Sequence, residues 1–344
     1  MTLALEIGLG LLMLGVFVVG VVARGDGRRR AGPLSAVGVL ALTVGSFFLE
    51  PSPAVGRGAF VLDGLALFAK QLFLVATFIG ILGSLSLRDP AFRRRAPEYY
   101  LLLLASLLGM LVLAGARELI LLFVAFELMS IPLYVLSGFL KREDIAVEAA
   151  LKFFLVGTVS SAILAYGLSF VYGAAGTTDL AGVARALAQP GPLLILGMLL
   201  VLAGFGFKIA AFPFHMWVPD TYEAASTPFV AWLSVAPKAA GFVALFRVYL
   251  EGVGDTVALW VPIVAVLSAI TMVAGNLMAL PQQNSKRLLA YSGIAHIGYM
   301  LVGLAAVSAS GTAMVLFYLV AYVFGNMGAF LVVEAVARVE GSEQ

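Results

Sequence analysis

Four ionisable residues stand out because each sits far inside an apolar stretch: Glu127, Lys208, Lys238 and His296. A carboxylate, two amines and an imidazole form an acid–base set suited to passing protons. Charged groups at membrane depth tend to face a protein interior or water and to mark ion routes. Glu127 and Lys238 each fall near the middle of a 23-residue apolar run, and His296 near the middle of one of 21. Lys208 lies in Gly204-Phe-Gly-Phe-Lys-Ile-Ala-Ala-Phe-Pro-Phe-His-Met-Trp-Val-Pro-Asp, where two glycines weaken a helix that two prolines then interrupt. Broken helices at membrane depth are where transporters bind ions. Pro132 opposes the carbonyl of Leu128 beside Glu127, and Pro237 opposes that of Leu233 beside Lys238. Each proline therefore predicts a kink at the level of a charge. A bland reading stands beside each role: a structural partner for Glu127, snorkelling for Lys208, and a hydrogen-bonded packing residue for His296.

Other ionisable groups read as structural. Lys152 follows Glu148 by four residues, the favourable order for a helical pair. Lys70 is expected to snorkel to the outer headgroups, and Glu6, Asp63 and Glu334 to be interfacial, since all lie toward span ends. His215 is a conceivable metal ligand, but no second His or Cys stands at ligand spacing, so packing at the helix break is expected.

The elements that position these groups follow from composition. Of 344 residues, 62% are hydrophobic and 12% charged, against roughly 45–50% and about 25% in soluble domains. Eleven runs are long enough to cross about 30 Å of hydrocarbon: 3–23, 33–49, 63–87, 97–116, 118–140, 147–173, 192–211, 228–250, 257–280, 287–307 and 311–337. The fold class is all-α, a polytopic transmembrane helix bundle with a discontinuous helix. The first run has neither a basic leader nor a small-residue cleavage site and reads as a retained helix.

Basic residues set the orientation. With the N-terminus outside, inward loops hold thirteen: Arg24, Arg28, Arg29, Arg30, Arg88, Arg93, Arg94, Arg95, Lys141, Arg142, Lys286, Arg287 and Arg338. Outward connections and helix ends hold four, Arg57, Arg117, Arg185 and Arg247. The tail from Arg338 to Gln344 then lies inside, and the outward connection 174–191 has the apolar spacing of a short surface helix.

A net charge of +2, no Cys and two His exclude a basic nucleic-acid face, a disulfide scaffold and an iron–sulfur cluster held by this chain alone. No Walker loop, GxGxxG fingerprint or GxSxG elbow occurs. The buried acids and bases therefore come without an energy source.

The stretch Phe212-Pro-Phe-His-Met-Trp-Val-Pro-Asp-Thr-Tyr-Glu-Ala-Ala-Ser-Thr-Pro, followed by Leu233-Ser-Val-Ala-Pro-Lys-Ala-Ala, resembles the antiporter-like proton-translocating subunits of respiratory complex I. The Ser-Val-Ala-Pro-Lys context is most similar to their bacterial N type. Phe126-Glu-Leu-Met-Ser-Ile-Pro-Leu-Tyr and Asn284-Ser-Lys-Arg-Leu-Leu-Ala-Tyr-Ser-Gly-Ile-Ala-His-Ile-Gly-Tyr support the match. The resemblance implies two inverted five-helix repeats, each with one broken helix. Residues 1–96 are then three preceding helices, 97–256 the first repeat with its break near 192–227, and 257–344 part of the second.

It also implies proton-carrying roles for Glu127, Lys208 and Lys238 in a subunit of a NADH:quinone oxidoreductase translocase. Such a subunit does no redox chemistry and binds no cofactor itself; FMN, iron–sulfur clusters and quinone belong to the whole complex. Its neighbours are the M and K subunits and the lipids of a bacterial inner membrane, with no nucleic acid. The family runs to fourteen spans with a further Lys on its second broken helix, so a chain ending after eleven is expected to be a truncated form. Two alternatives stand: a subunit of a multisubunit sodium/proton antiporter, and a structural spacer in which the buried charges are packing ion pairs.

Overall fold

The computed structural model describes residues 2–23, 25–87, 89–140, 144–186 and 191–340. Arg24, Arg88, Lys141 and Arg142 of the orientation count, 187–190 of the connection and 341–344 of the tail lie outside the described residues.

The chain runs through α1 (Ala4–Val22), α2 (Ala31–Ser46), a hairpin of β1 (Ser52–Val55) and β2 (Phe60–Leu62), α3 (Gly64–Ser84), α4 (Pro90–Arg94), α5 (Ala96–Gly115) and α6 (Leu119–Ser137). There follow α7 (Asp144–Ala175), α8 (Leu180–Ala186), α9 (Pro192–Ile209), α10 (Trp217–Ala224), α11 (Thr227–Leu233) and α12 (Ala236–Leu245). A π-helical turn (Phe246–Gly252) leads to α13 (Val257–Ala279), α14 (Ser285–Ala305) and α15 (Ala309–Glu340). Among the described residues, ten helical segments are long and apolar enough to cross a membrane, against the eleven expected. The chain is a multi-pass membrane protein.

The difference is α2. Its 16 residues span about 24 Å, short of the hydrocarbon thickness. Connectivity still makes it a pass, because it returns from the end where α1 finishes and, at its far end, the Ser46 carbonyl accepts from Gln71 Nε2 of α3 at 3.3 Å.

Helix starts are fixed by side-chain caps that satisfy otherwise orphaned amides. Asp63 accepts from the Ala66 amide at 2.8 Å, Glu118 from Leu121 at 2.8 Å, and Asn284 from Lys286 and Arg287 at 2.9 and 3.2 Å. Small residues let helices touch, as lipid offers no hydrophobic drive for association. A Cβ on Gly109 of α5 would lie 2.3 Å from the Met129 backbone nitrogen of α6, so only glycine permits that crossing.

The two ends of the bundle differ. One carries the hairpin, bridged to the α5–α6 turn through Phe60 and Ala116, and that turn is bridged onward through Glu118 and Asp179. The other carries the basic turns, including Arg28–Arg30 before α2 and Arg93 and Arg94 of α4. The expected short helix in the connection is α8.

Two helices break inside the bundle. After α9 the chain turns through a left-handed Ala210 (φ 66°), passes the cis Phe212–Pro213 bond, and resumes helix at Trp217. The segment Thr227–Gly252 is buried as far as Tyr249 and also breaks, at Ser234 and Val235 between α11 and α12. The kink expected where Pro237 opposes the Leu233 carbonyl is a full break at that place. That proline lies in the first turn of α12, where a missing N–H costs nothing, and the discontinuity precedes it. Pro132, by contrast, is carried within a continuous α6.

Candidate functional site

Lys208 occupies the last turn of α9 and is 2% exposed. A helix C-terminus concentrates carbonyl dipoles that favour a cation. Its Nζ donates to Ser130 Oγ at 2.9 Å, and Ser130 donates in turn to the Phe126 carbonyl at 2.6 Å. The ring of Phe126 lies 5.5 Å from the ammonium. Trp217 Nε1 donates to the Phe207 carbonyl at 3.1 Å, which ties the resumed helix back to the end of α9.

Glu127 is on α6, one turn before Ser130, and accepts from Ser161 Oγ of α7 at 2.5 Å. It is half-buried. Ser130 thus stands between the carboxylate's turn and the amine, and no nitrogen–oxygen contact within 4 Å pairs Glu127 with Lys208 among the described residues.

Lys238 is 1% exposed in the first turn of α12, immediately after the second break. Here the dipole is reversed, since a helix N-terminus disfavours a cation. Its Nζ lies 5.4 Å from the Tyr222 ring and has no hydrogen-bond acceptor among the described residues. The hydroxyls of Tyr222 and Tyr322 are likewise buried without partners. Gly293 of α14 makes the space: a Cβ there would meet Tyr322 Oη at 2.8 Å and Lys238 Nζ at 3.3 Å. One turn after Lys238, Gly241 packs on the end of α9, where its Cβ would lie 3.8 Å from Lys208 Cγ. The two lysines therefore sit on adjoining broken ends.

His296 is one turn beyond Gly293 on α14. Its Nδ1 is 2.5 Å from Tyr318 Oη, and its ring faces Tyr322 at 5.2 Å. The structure gathers Lys238, His296 and the two tyrosines of α15 into one polar pocket in an apolar bundle. His215 is buried and stacks on Phe212 at 5.1 Å, as expected of packing at the break.

On the basic end, Asp220 of α10 joins Lys152 of α7 (3.1 Å) and Arg287 of α14 (2.9 Å), and Arg287 also reaches Glu223 (2.7 Å). Burial pushes the Asp220 carboxyl up, but the hydrogen bonds and charges of Arg287 and Lys152 outweigh it and hold it below the usual carboxylate range. Lys152 also makes the expected pair with Glu148, at 2.9 Å.

One expectation is overturned on the hairpin side. Lys70 does not snorkel: it is fully buried and pairs with Glu6 at 2.7 Å, which is buried too. A partner one helix away makes burial possible without reaching the headgroups. Arg247, placed at an outward helix end, is also fully buried. It holds Asp63 with two bonds of 2.7 Å, pairs with Glu251 and donates to the Ala114 carbonyl at 3.1 Å. Asp63 is thus a cap and an ion-pair partner together. Glu334 is nearly buried and pairs with Arg338 at 2.7 Å.

Sequence reasoning missed Ser130, Ser161, Tyr222, Tyr318, Tyr322 and Gly293. Ser130 falls one turn from Glu127, and Tyr318 and Tyr322 share a helix face at i and i+4, so helical periodicity was the available signal.

A family model described as NADH:quinone oxidoreductase/Mrp antiporter, TM, matches residues 116–344. The NADH-quinone oxidoreductase subunit N of Moorella thermoacetica is 42% identical over 344 residues, covering 99% of this chain and 71% of its own length. That of Heliobacterium modesticaldum is 41% identical over 350 residues, with 99% and 73% covered. Among solved structures, a chain of respiratory complex I from Thermus thermophilus superposes with a TM-score of 0.80 at 36% identity, over 96% of this chain and 69% of that one. A chain of the Mrp complex from a Dietzia species shares the fold, with a TM-score of 0.83 at 22% identity over 98% and 65%.

Proposed function

Since the chain belongs to the NADH:quinone oxidoreductase/Mrp antiporter family of membrane subunits, we propose that it is the N-type proton-translocating subunit of a NADH-quinone oxidoreductase. Protons move through Glu127, Lys208, Lys238 and His296, driven by quinone reduction in other subunits. The observation that carries this reading is the pair of lysines on adjoining helix breaks, 2% and 1% exposed, each without a carboxylate partner among the described residues. A buried amine so placed is easily switched between charged and neutral forms, because desolvation opposes the charge and no fixed anion restores it.

The transfer has a direction built into the backbone. Lys208 holds its proton with a hydroxyl acceptor and a favourable helix end; Lys238 has neither. A charge arriving at Glu127 strengthens the hold on Lys208, and its departure releases the proton toward Lys238 and the His296–Tyr318 pair. Two unit charges about 7 Å apart at an effective dielectric of 20 interact by roughly 2.4 kcal/mol, enough to switch an amine.

In this reading residues 1–96 precede a first repeat at 97–256, and 257–344 belong to the second. The chain binds no cofactor; FMN, iron–sulfur clusters and quinone are held elsewhere in the complex, and M and K subunits adjoin it in a bacterial inner membrane. Half-exposure of Glu127 beside the exposed Val124 and Ile131 supports a neighbouring chain on that face of α6. The basic end faces the cytoplasm and the N-terminus lies outside. A sodium/proton antiporter reading draws on fold alone, at 22% identity.

Reconstituted complex carrying Lys208→Ala or Lys238→Ala is expected to assemble and to take up fewer protons per NADH, because transfer through this subunit slows by about a hundredfold, the low end of what a positioned acid–base group contributes. Undiminished uptake at normal quinone turnover overturns the proposal.

A further inference from the structure

At the basic end, the turns before α2 and α4 and the ends of α3, α5 and α15 enclose a cavity of about 350 Å³. Its lining combines Arg29, Arg93 and Arg338 with the hydroxyl-bearing Ser86 and Tyr100 and the apolar Leu85 and Phe92. None of these residues touches the proton-carrying groups.

We propose that this cavity binds the phosphate of an anionic phospholipid, with Arg93 and Arg338 as its principal ligands. Charge is the first argument. Arg93 is half-buried, and among the described residues no carboxylate pairs with it. Arg338 has one acid, Glu334 at 2.7 Å, and also donates to Ser86 Oγ. Arg29 is exposed and has another partner, so its contribution is counted as secondary. One carboxylate therefore faces at least two guanidiniums, whose planar donor forks match phosphate oxygens. Arg28, Arg30, Arg94 and Arg95 lie at the same end of the bundle without lining the cavity, and Glu98 faces Arg28 at 3.9 Å.

Position is the second argument, and it selects a lipid over a free anion. The cavity opens where apolar spans end, next to the exposed side chains of Val336 (47%) and Leu85 (42%). A phosphate seated on the arginines leaves its glycerol over Leu85 and Phe92 and its acyl chains against the outer surface of the bundle. The volume suits a headgroup and excludes the chains. Juxtamembrane arginines on the cytoplasmic side attract anionic lipids in this way. Only the choice of leaflet rests on the orientation proposed above; binding itself is read separately from proton uptake.

The test uses the assembled complex, delipidated in neutral detergent and titrated with labelled short-chain phosphatidylglycerol, phosphatidylcholine or inorganic phosphate. The complex is expected to bind phosphatidylglycerol in preference to phosphatidylcholine. Arg93→Gln weakens that saturable binding by about fivefold, and Arg93→Gln with Arg338→Gln by about 25-fold, one factor per cation removed. Arg185→Gln, on α8 at the opposite end of the bundle, leaves it unchanged, and Arg93→Lys retains most of it, which separates lost charge from lost folding. Equal phosphatidylglycerol binding by wild type and the double variant overturns the site. Competition by inorganic phosphate at equal affinity overturns the lipid as its ligand.

Discussion

Lys70 and Arg247 are buried as completely as Lys208 and Lys238, yet the two pairs live in different surroundings. On the hairpin side each cation has carboxylates: Glu6 lies 2.7 Å from Lys70, and Asp63 and Glu251 clasp Arg247. At the helix breaks the cations have a serine hydroxyl or only an aromatic face. Burial opposes charge equally in both places. A fixed anion makes the charge permanent and structural, whereas its absence leaves the charge free to come and go. Under the proposed function, depth in the membrane alone therefore does not mark a proton carrier; depth without a counter-ion does.

Removing Arg247 is the severest way to test that contrast. Arg247→Met leaves Asp63 and Glu251 with only the half-exposed Arg117, at 3.7 and 3.1 Å, and leaves the Ala114 carbonyl without its donor, so it is expected to cost about 3–5 kcal/mol and to deplete the assembled complex. Lys238→Met removes a cation with no acceptor and is expected to spare assembly while stopping proton uptake. Quantifying this chain in purified membranes alongside uptake per NADH checks both. Normal assembly of Arg247→Met with failed uptake would place it among the carriers and break the comparison.

The Glu6–Lys70 pair sharpens it. Lys70→Met alone leaves a buried carboxylate and is expected to destabilise by about 3–5 kcal/mol, while Lys70→Met with Glu6→Leu restores most of the loss, because replacing both members of a buried pair is often neutral. Thermal release of this subunit from the complex reads the cycle. Restored stability with impaired uptake would show that Lys70 carries protons as well.

The sequence made Glu127, Lys208, Lys238 and His296 legible because each is a rare polar letter in an apolar run, and the run's length gives its depth. It made the first break legible through Gly204, Gly206 and Pro213. What it concealed is pairing across helices: residues 6 and 70, or 63 and 247, meet only after the bundle assembles, and span position alone sent Lys70 to the headgroups and said nothing of Arg247's burial. The second break was legible through Pro237, which opposes the Leu233 carbonyl at which α11 ends, but its partner was not: Asn326 donates to Ser234 Oγ within the discontinuity at 2.7 Å.

A finer test addresses the difference between the two lysines themselves. Ser130→Ala removes the one hydrogen-bond acceptor of Lys208 among the described residues, a bond to a charged group that contributes about 1.5–3 kcal/mol. Proton uptake is expected to fall by about tenfold or more with assembly intact, and Ser130→Thr, which keeps the hydroxyl, to recover it. An unchanged rate in Ser130→Ala would mean that the helix end alone prepares Lys208.

The smallest effect is expected from acid on the paired side. Burial raises the Asp63 carboxyl, but hydrogen bonds from Arg247 and the Ala66 amide, with the charges of Arg247 and Arg117, hold it below the usual carboxylate range. A group whose folded value is depressed stabilises the fold above its unfolded value and loses that contribution as pH falls through the folded one. The temperature at which this subunit becomes protease-sensitive should therefore be level above pH about 5 and decline below about 4, where a free Asp begins to protonate. Asp63→Asn should start lower and decline less, because no proton can then be taken up at this position. Glu251 still faces Arg247, so the guanidinium keeps one anion and the structure bends before it fails. An identical decline in wild type and Asp63→Asn would locate the acid-sensitive pairing elsewhere, with Asp220 and its two cations as the next place to look.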